Sequence, residues 1–401
     1  MNILYIANTC SQGKYAKYVE NKGARTTQQA QKYNLLLAEG MARNSAKVTM
    51  ISSRPINREL EKRLWMRRER EQVNRVDFHY LPFVNYPVLR NIWVLFGTFF
   101  AVLFSKCSKK ETAIVCDALN ISAALGALIG AFFRRFSTVA IVTDVPGVLS
   151  YATKITLAQK LNLAIIRRFK SYLLLTQQMS KVVNPKNRPY IVLEGHADEA
   201  MAHKENTLEG KAEQKVVMYA GSLMEIYGIG NLVEGFLAAN IPGAELHIYG
   251  DGDYAEKLEK KAAENGVIKY HGVAPNSEIV KAELTATLLV NPRPSHEEYT
   301  KYSFPSKNME YMASGTPVLT TRLPGMPEDH KPYVYFIERE DAEGIKVALQ
   351  RVLLQDAQTL HDFGTEAKAF VLKEKNNNTQ AAKVLAFVQD AQERIKRTLG
   401  T

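Results

Sequence analysis

The stretch KVVMYAGSLMEIYGIGNLVEGFLAANIPGAELHIYG, Lys215–Gly250, joins a β-branched apolar run (Lys215–Ala220) through a glycine-bearing turn to an amphipathic segment (Asn231–Ala239) and a second apolar run (Glu245–Tyr249). Strand, helix, strand in this order is a βαβ unit, whose crossover helix makes the two strands parallel. The pattern recurs on both sides. Apolar runs precede it at Asn2–Ala7, Lys47–Ser52, Val76–Leu81, Thr112–Cys116 and Thr138–Thr143, and follow it at Ile268–His271, Thr287–Val290 and Pro317–Thr321. An amphipathic segment, Asn34–Asn44, follows the first run. The chain is therefore predicted to be α/β, with two doubly wound parallel sheets. The polar stretch from about Gly195 to Gln214 lacks an apolar stripe and is predicted as the linker region.

The 401 residues, 46% hydrophobic and 23% charged, suffice for two cores and exclude a largely disordered chain. Residues 1–200 carry a formal charge of +16 and residues 201–401 carry −5. A basic half joined to an acidic half implies different partners, the basic one facing an anion such as a membrane surface, a nucleic acid or a phosphorylated substrate. Cys10, Cys107 and Cys116 form no motif, which argues against a disulfide framework or a thiolate zinc site and for a reducing compartment. MNILYIANT has no basic n-region, so a cytoplasmic location is expected.

VLRNIWVLFGTFFAVLF, Val88–Phe104, is the most apolar segment and falls short of the roughly 20 residues of a spanning helix. Three readings stay open, in this order: a helix packed between the sheet and neighbouring helices, a helix dipping into a membrane interface, and last a transmembrane span. The preceding Arg58–Arg75 interleaves bases with Leu64, Trp65 and Met66, as either a solvated amphipathic helix or a leaflet-binding segment does.

NPRPSHEEYTKYSFPSKNMEYMASGTPV, Asn291–Val318, carries the chemistry. Pro305 suits the first turn of a helix and Gly315 the left-handed residue that ends it, which predicts a helix over about Pro305–Ala313. Free N–H groups at its start, the Ser306 hydroxyl and the Lys307 ammonium together make an anion site fit for a diphosphate. Glu310 is three residues on, about 4.5 Å along the axis on the same face, placed to accept hydrogen bonds from ribose hydroxyls.

FPSKNMEYMASGTPV, YAGSLMEIYGIGNLVEGF (Tyr219–Phe236) and LHIYGDGD (Leu246–Asp253) resemble the C-terminal domain of retaining glycosyltransferases of family 4, which have the two-domain GT-B fold. Thr26–Pro55 is similar, more loosely, to the acceptor domain of bacterial polysaccharide and glycolipid transferases. The resemblance implies two Rossmann-like domains with a cleft between them. Residues 1–197 would bind acceptor, 198–379 would bind a nucleotide sugar, and the helix within 380–401 would cross back. By the same resemblance Glu310 matches the second glutamate of an E-x7-E motif, which holds the ribose, and Ser306 and Lys307 match the diphosphate turn. The chain departs from the pattern where Tyr302 stands for the first glutamate, which touches the donor sugar. Ser222 stands for an arginine and Tyr227 for a lysine that neutralise the diphosphate. Lys307 is the first candidate to replace those cations and Arg293, after the strand Thr287–Val290, the second.

GDGD (Gly250–Asp253) directly follows a strand, so a tight turn with Asp253 capping the next helix accounts for it without a metal. His196, His203, His271 and His296 lack ligand spacing, and no metal or other cofactor is expected. In the first half, related transferases place a His-Asp pair where Thr143-Asp144 stands here, which implicates Asp144 in contacting the donor sugar or the charge at the reacting carbon. Asp117 also ends a parallel strand, where ligands bind. The combined expectation is a retaining transferase moving a sugar from a nucleotide-diphosphate sugar to a saccharide or lipid-linked acceptor. A non-catalytic subunit of the same fold is the alternative. An oxidoreductase is disfavoured because NTCSQGKYA replaces the G-x-G-x-x-G turn, and no nucleic-acid partner is expected.

Overall fold

Every side chain from Ile3 to Ala7 is buried, the mark of a strand covered on both faces in a parallel sheet. The computed structural model describes residues 1–19, 28–148 and 155–398, so Thr26 and Thr27 of the acceptor-like stretch lie outside the described residues. Two compact units result: Met1–His196 with Asn377–Thr401, and Ala197–Asn376.

The first unit is built on an eight-stranded sheet in the order β10-β9-β8-β7-β1-β2-β5-β4. Its strands are β1 (Asn2–Ala7), β2 (Lys47–Ser52), β4 (Glu69–Val73), β5 (Val76–Tyr80), β7 (Thr112–Asp117), β8 (Ser137–Val142), β9 (Ser171–Leu174) and β10 (Tyr190–Val192); β3 (Trp65–Met66) and β6 (Phe83–Val84) pair separately. All neighbours in the large sheet are parallel except β4, which runs antiparallel to β5. The Asn377–Thr398 helix packs on the Gln28–Arg43 helix: Asn377 Nδ2 donates to the Leu36 carbonyl at 3.2 Å, and Asn44 Nδ2 to the Asn378 carbonyl at 2.9 Å.

Two expectations need correction here. Arg58–Arg75 is not a helix, because the glutamates and arginines of β4 alternate along an edge strand instead of following a helical stripe. The apolar segment is indeed a helix, Pro87–Leu103, but it is not enclosed between sheet and helices. Val94, Thr98 and Val102 are buried, while its other face is open.

The second unit has six parallel strands ordered β13-β12-β11-β14-β15-β16. They are β11 (Lys215–Ala220), β12 (Ala244–Tyr249), β13 (Ile268–Gly272), β14 (Leu288–Asn291), β15 (Val318–Thr320) and β16 (Tyr335–Phe336). The stretch expected as a linker is docked on this unit. Asn206 Nδ2 donates to the Ser314 carbonyl at 2.9 Å, and Lys211 Nζ donates to Leu284 and Ala286 carbonyls at 3.0 and 2.9 Å. Asn206 and Lys211 thus satisfy backbone acceptors, while Glu205, Glu209 and Glu213 face solvent.

Candidate functional site

In the second unit β11 pairs with β12 on one side and β14 on the other, so the winding reverses between β11 and β14. Ligands of doubly wound sheets bind beyond the carboxyl ends of the strands at such a point. The chain delivers there Gly221-Ser222 after β11, Pro292-Arg293 after β14, and the helix Ser306–Ser314. That helix is pinned to three strands. The Tyr311 hydroxyl accepts from the Ala220 N–H at 2.8 Å and donates to the Ala220 carbonyl at 3.1 Å. Asn291 Nδ2 donates to Asn308 Oδ1 at 2.7 Å, and Asn308 Nδ2 to Thr320 Oγ1 at 3.4 Å.

The helix starts one residue later than expected. Pro305 is its N-cap and has no side chain to accept from the first turn, so the amide end of the dipole is left for another acceptor. Gly315 ends it at φ +82°, as expected, with its N–H on the Met312 carbonyl. Ser306 and Tyr302 are half-buried beside this end, and Ser222 is exposed, its carbonyl accepting from the Tyr219 hydroxyl at 2.9 Å.

The two candidate cations stand in different electrostatic states. Lys307 Nζ is 2.9 Å from the Glu310 carboxylate. Burial alone lowers its pKa, but Glu310 and the buried Glu283 outweigh that and raise it. Arg293 instead lies over the Tyr227 ring, 4.3 Å from its centroid, and 5.7 Å from that of Tyr299. Its Nε is buried with no hydrogen-bond partner, and it has no ion pair among the described residues. The Ser303 hydroxyl, three residues before the helix, is likewise buried and unpartnered. Burial pushes Tyr219 up to about 12, and both Arg293 and Lys307 pull against that shift. Gly228 lets the Tyr227 turn approach the end of β14: it has φ +79°, and a Cβ there would lie 2.4 Å from the Pro292 carbonyl oxygen.

A separate cavity of about 780 Å³ lies in the first unit, where β1 is flanked by β2 and β7 and the winding reverses again. Carboxamides and hydroxyls line it, among them Asn8, Gln31, Asn57, Asn120 and Ser122, together with Asp117. Burial raises the Asp117 pKa against the Leu119 N–H and the Asn34 amide, which donates at 3.2 Å. Asp144 is half-buried just beyond β8, the neighbour of β7.

GDGD forms a turn, but Asp253 does not cap the next helix. Tyr254 is the N-cap, and Asp253 Oδ1 accepts from the Glu225 N–H at 2.7 Å, tying the turn to the loop after β11. His271 Nε2 lies 3.2 Å from His247 Nδ1, a partner that spacing along the chain did not signal because the two sit on adjacent strands. Sequence reasoning also missed Glu283, Tyr219 and Tyr299. All three sit in ordinary helical or strand patterns, and only the fold brings them to the site.

Residues 202–394 match the family of glycosyl transferases group 1. No curated protein matches the chain by sequence. Among solved structures, sucrose-phosphate synthase from Thermosynechococcus elongatus is similar over 99% of this chain and 98% of its own, with TM-score 0.68 and 15% identity. HepE of Anabaena in complex with UDP is similar over 96% and 100%, with TM-score 0.62 and 16% identity. The α,α-trehalose 6-phosphate synthase of Burkholderia multivorans is similar over 99% and 98%, with TM-score 0.67 and 9% identity. The chain has the GT-B fold of two Rossmann-like domains.

Proposed function

We propose that this chain transfers a sugar from a nucleotide-diphosphate sugar to a saccharide or lipid-linked acceptor, with retention, in polysaccharide or glycolipid biosynthesis at the cytoplasmic face of a membrane. The observation that carries the reading is an uncompensated guanidinium, Arg293, beside an uncapped helix N-terminus at the winding reversal of the second unit. A half-buried cation with an unpartnered Nε and no carboxylate beside it among the described residues calls for an anionic ligand. UDP bound to HepE supports a nucleoside diphosphate as that anion.

In this reading Arg293, Ser306, Lys307 and the helix amides hold the diphosphate, Glu310 takes the ribose hydroxyls, and Tyr302 and Ser222 line the donor. Asp144 faces the donor sugar, and Asp117, in its polyhydroxyl-compatible cavity, positions the acceptor. Bond cleavage builds positive charge on the sugar ring and negative charge on the leaving diphosphate. Fixed donors and cations aimed at that diphosphate lower the barrier without reorganising. The leaving phosphate accepts the acceptor's proton on the same face, so no separate protein base and no metal is invoked.

The test is a thermal-shift panel of UDP, GDP, ADP, CDP and dTDP, followed by turnover of the matching nucleotide sugars with acceptor extract. Stabilisation by none of the five refutes the reading. Binding with no transfer assigns the chain to the non-catalytic alternative.

A further inference from the structure

We infer that the open face of the Pro87–Leu103 helix is a docking surface for an anionic lipid leaflet. Leu89, Ile92, Trp93, Phe96, Phe100 and Phe104 follow helical spacing along it and are each 41% to 72% exposed. Trp65 extends the face, edge-on to Trp93 with ring centroids 5.0 Å apart. Phe132 and Phe133, 79% and 63% exposed, extend it at the far end, Phe133 lying 6.2 Å from Phe99. The opposite side packs tightly on the Ile121–Arg134 helix, where a Cβ on Gly126 would meet the Leu95 carbonyl at 2.3 Å. A helix apolar on all sides is stable only where both faces find an apolar environment, and here the protein supplies one of them.

The charges around the face select the occupant. Arg58, Lys62, Arg67 and Arg68 are exposed, have no ion pair among the described residues and surround Trp65 in the chain. Lys106 and Arg135 lie exposed at the other end. Arg63, by contrast, is held by Glu61 at 2.9 Å. A second copy seated on this face would bring like charges together, whereas anionic lipid headgroups complement them. Seventeen residues at about 1.5 Å each reach about 25 Å, short of the roughly 30 Å hydrocarbon core. Among the described residues no helix is long and apolar enough to cross a membrane. The helix therefore lies in the interface and does not span it.

The inner edge of the same helix gives Pro87, Arg90, Asn91 and Val94 to the polar cavity of the first unit. Docking brings that cavity within about one helix diameter, about 10 Å, of the headgroups. Resting on the transferase reading, this makes the acceptor a saccharide carried on a lipid and presented from the leaflet.

The experiment is co-sedimentation of the full chain with phosphatidylcholine vesicles containing increasing phosphatidylglycerol, at low and high salt. Wild type should pellet in proportion to the anionic lipid and be released by salt. Lys62→Gln with Arg67→Gln and Arg68→Gln should weaken binding by about 100-fold, the equivalent of about 1 kcal/mol per base. Phe96→Ser with Phe100→Ser should abolish it even at low salt, with an unchanged circular dichroism spectrum and thermal melt. Wild type that stays in the supernatant at low salt, or serine variants that bind like wild type, overturn the proposal. So does a wild-type dimer that the serine variants dissociate, since that makes the face a self-association surface. Vesicle binding needs no nucleotide and is scored whether or not the chain is a transferase. In a transfer assay with labelled donor and membrane extract, label should enter the organic-solvent phase. Label confined to water-soluble saccharide refutes the lipid-linked acceptor while leaving the transferase reading standing.

Discussion

Replacing Arg293 by methionine keeps most of its apolar stem over Tyr227 and removes only the guanidinium. In the ligand-free chain that group has a buried Nε without a hydrogen-bond partner and no carboxylate beside it among the described residues. Its removal loses the cation–π contact, about 0.5–1 kcal/mol, and relieves the cost of a buried unpaired donor, which is of similar size and opposite sign. The unfolding midpoint of the free protein should then move by no more than about 2 °C. Binding responds differently. A hydrogen bond to a charged group contributes about 1.5–3 kcal/mol, so affinity for the nucleoside diphosphate should fall about 10- to 150-fold. Arg293→Lys should recover part of this, since it restores charge but not the planar stack on Tyr227. The assay is titration calorimetry with the diphosphate that best stabilises wild type, alongside thermal unfolding without ligand. Unchanged affinity refutes the assignment of Arg293 to the diphosphate, and a large loss of ligand-free stability refutes the claim that its charge is uncompensated.

Glu310→Ala should weaken the same diphosphate about 10- to 150-fold and erase any preference for ribo over 2′-deoxyribo forms; calorimetry that finds the preference intact places the ribose elsewhere. Lys307→Ala should lower kcat more than affinity, because charge on the diphosphate grows as the glycosidic bond breaks; equal affinity loss with unchanged kcat reduces Lys307 to a positioning role. His196, its Nε2 3.1 Å from the Tyr33 carbonyl, is held by burial at about 4 against an ordinary 6.5, so it folds neutral and the unfolded chain takes the proton first. The corresponding stability, about 3 kcal/mol, is fully present above pH 6.5 and lost as the pH falls toward 4; urea unfolding of His196→Gln should show a flatter dependence over that window, and parallel wild-type and variant slopes refute it.

Much of the second unit was legible because its strands are short apolar runs bounded by turn residues, with no competing helical period. Pro305 and Gly315 bracketed the key helix to within a residue for a local reason: both act through their own backbone angles. What escaped was set by pairing across the sheet. The glutamates of β4 contact β5 on an edge, and nothing in Arg58–Arg75 alone distinguishes that from a charged helix. The state of Lys307 escaped for a related reason. Glu310 is its neighbour along the helix and was visible, but Glu283 arrives from a helix more than twenty residues earlier in the chain. Likewise the exposure of Phe96 and Phe100 depends on which face the Ile121–Arg134 helix covers, and hydropathy carries no such information.

The exchange at Tyr227 then has a physical account. A lysine on the loop before Gly228 carries its charge on a flexible stem and must be ordered when ligand binds. Tyrosine there gives up the charge and supplies a flat face, against which Arg293 from the end of β14 is already stacked. On the proposed diphosphate role the cation comes from a strand end instead of a loop, and its ordering cost falls on folding instead of on binding. Lys307, paired with Glu310 at 2.9 Å, can contribute fully only when that carboxylate turns to another donor, such as a ribose hydroxyl. If Glu310 takes the ribose as proposed, binding the ribose and freeing the lysine are one event, and a diphosphate lacking its nucleoside should meet Arg293 alone and bind through a single side-chain cation.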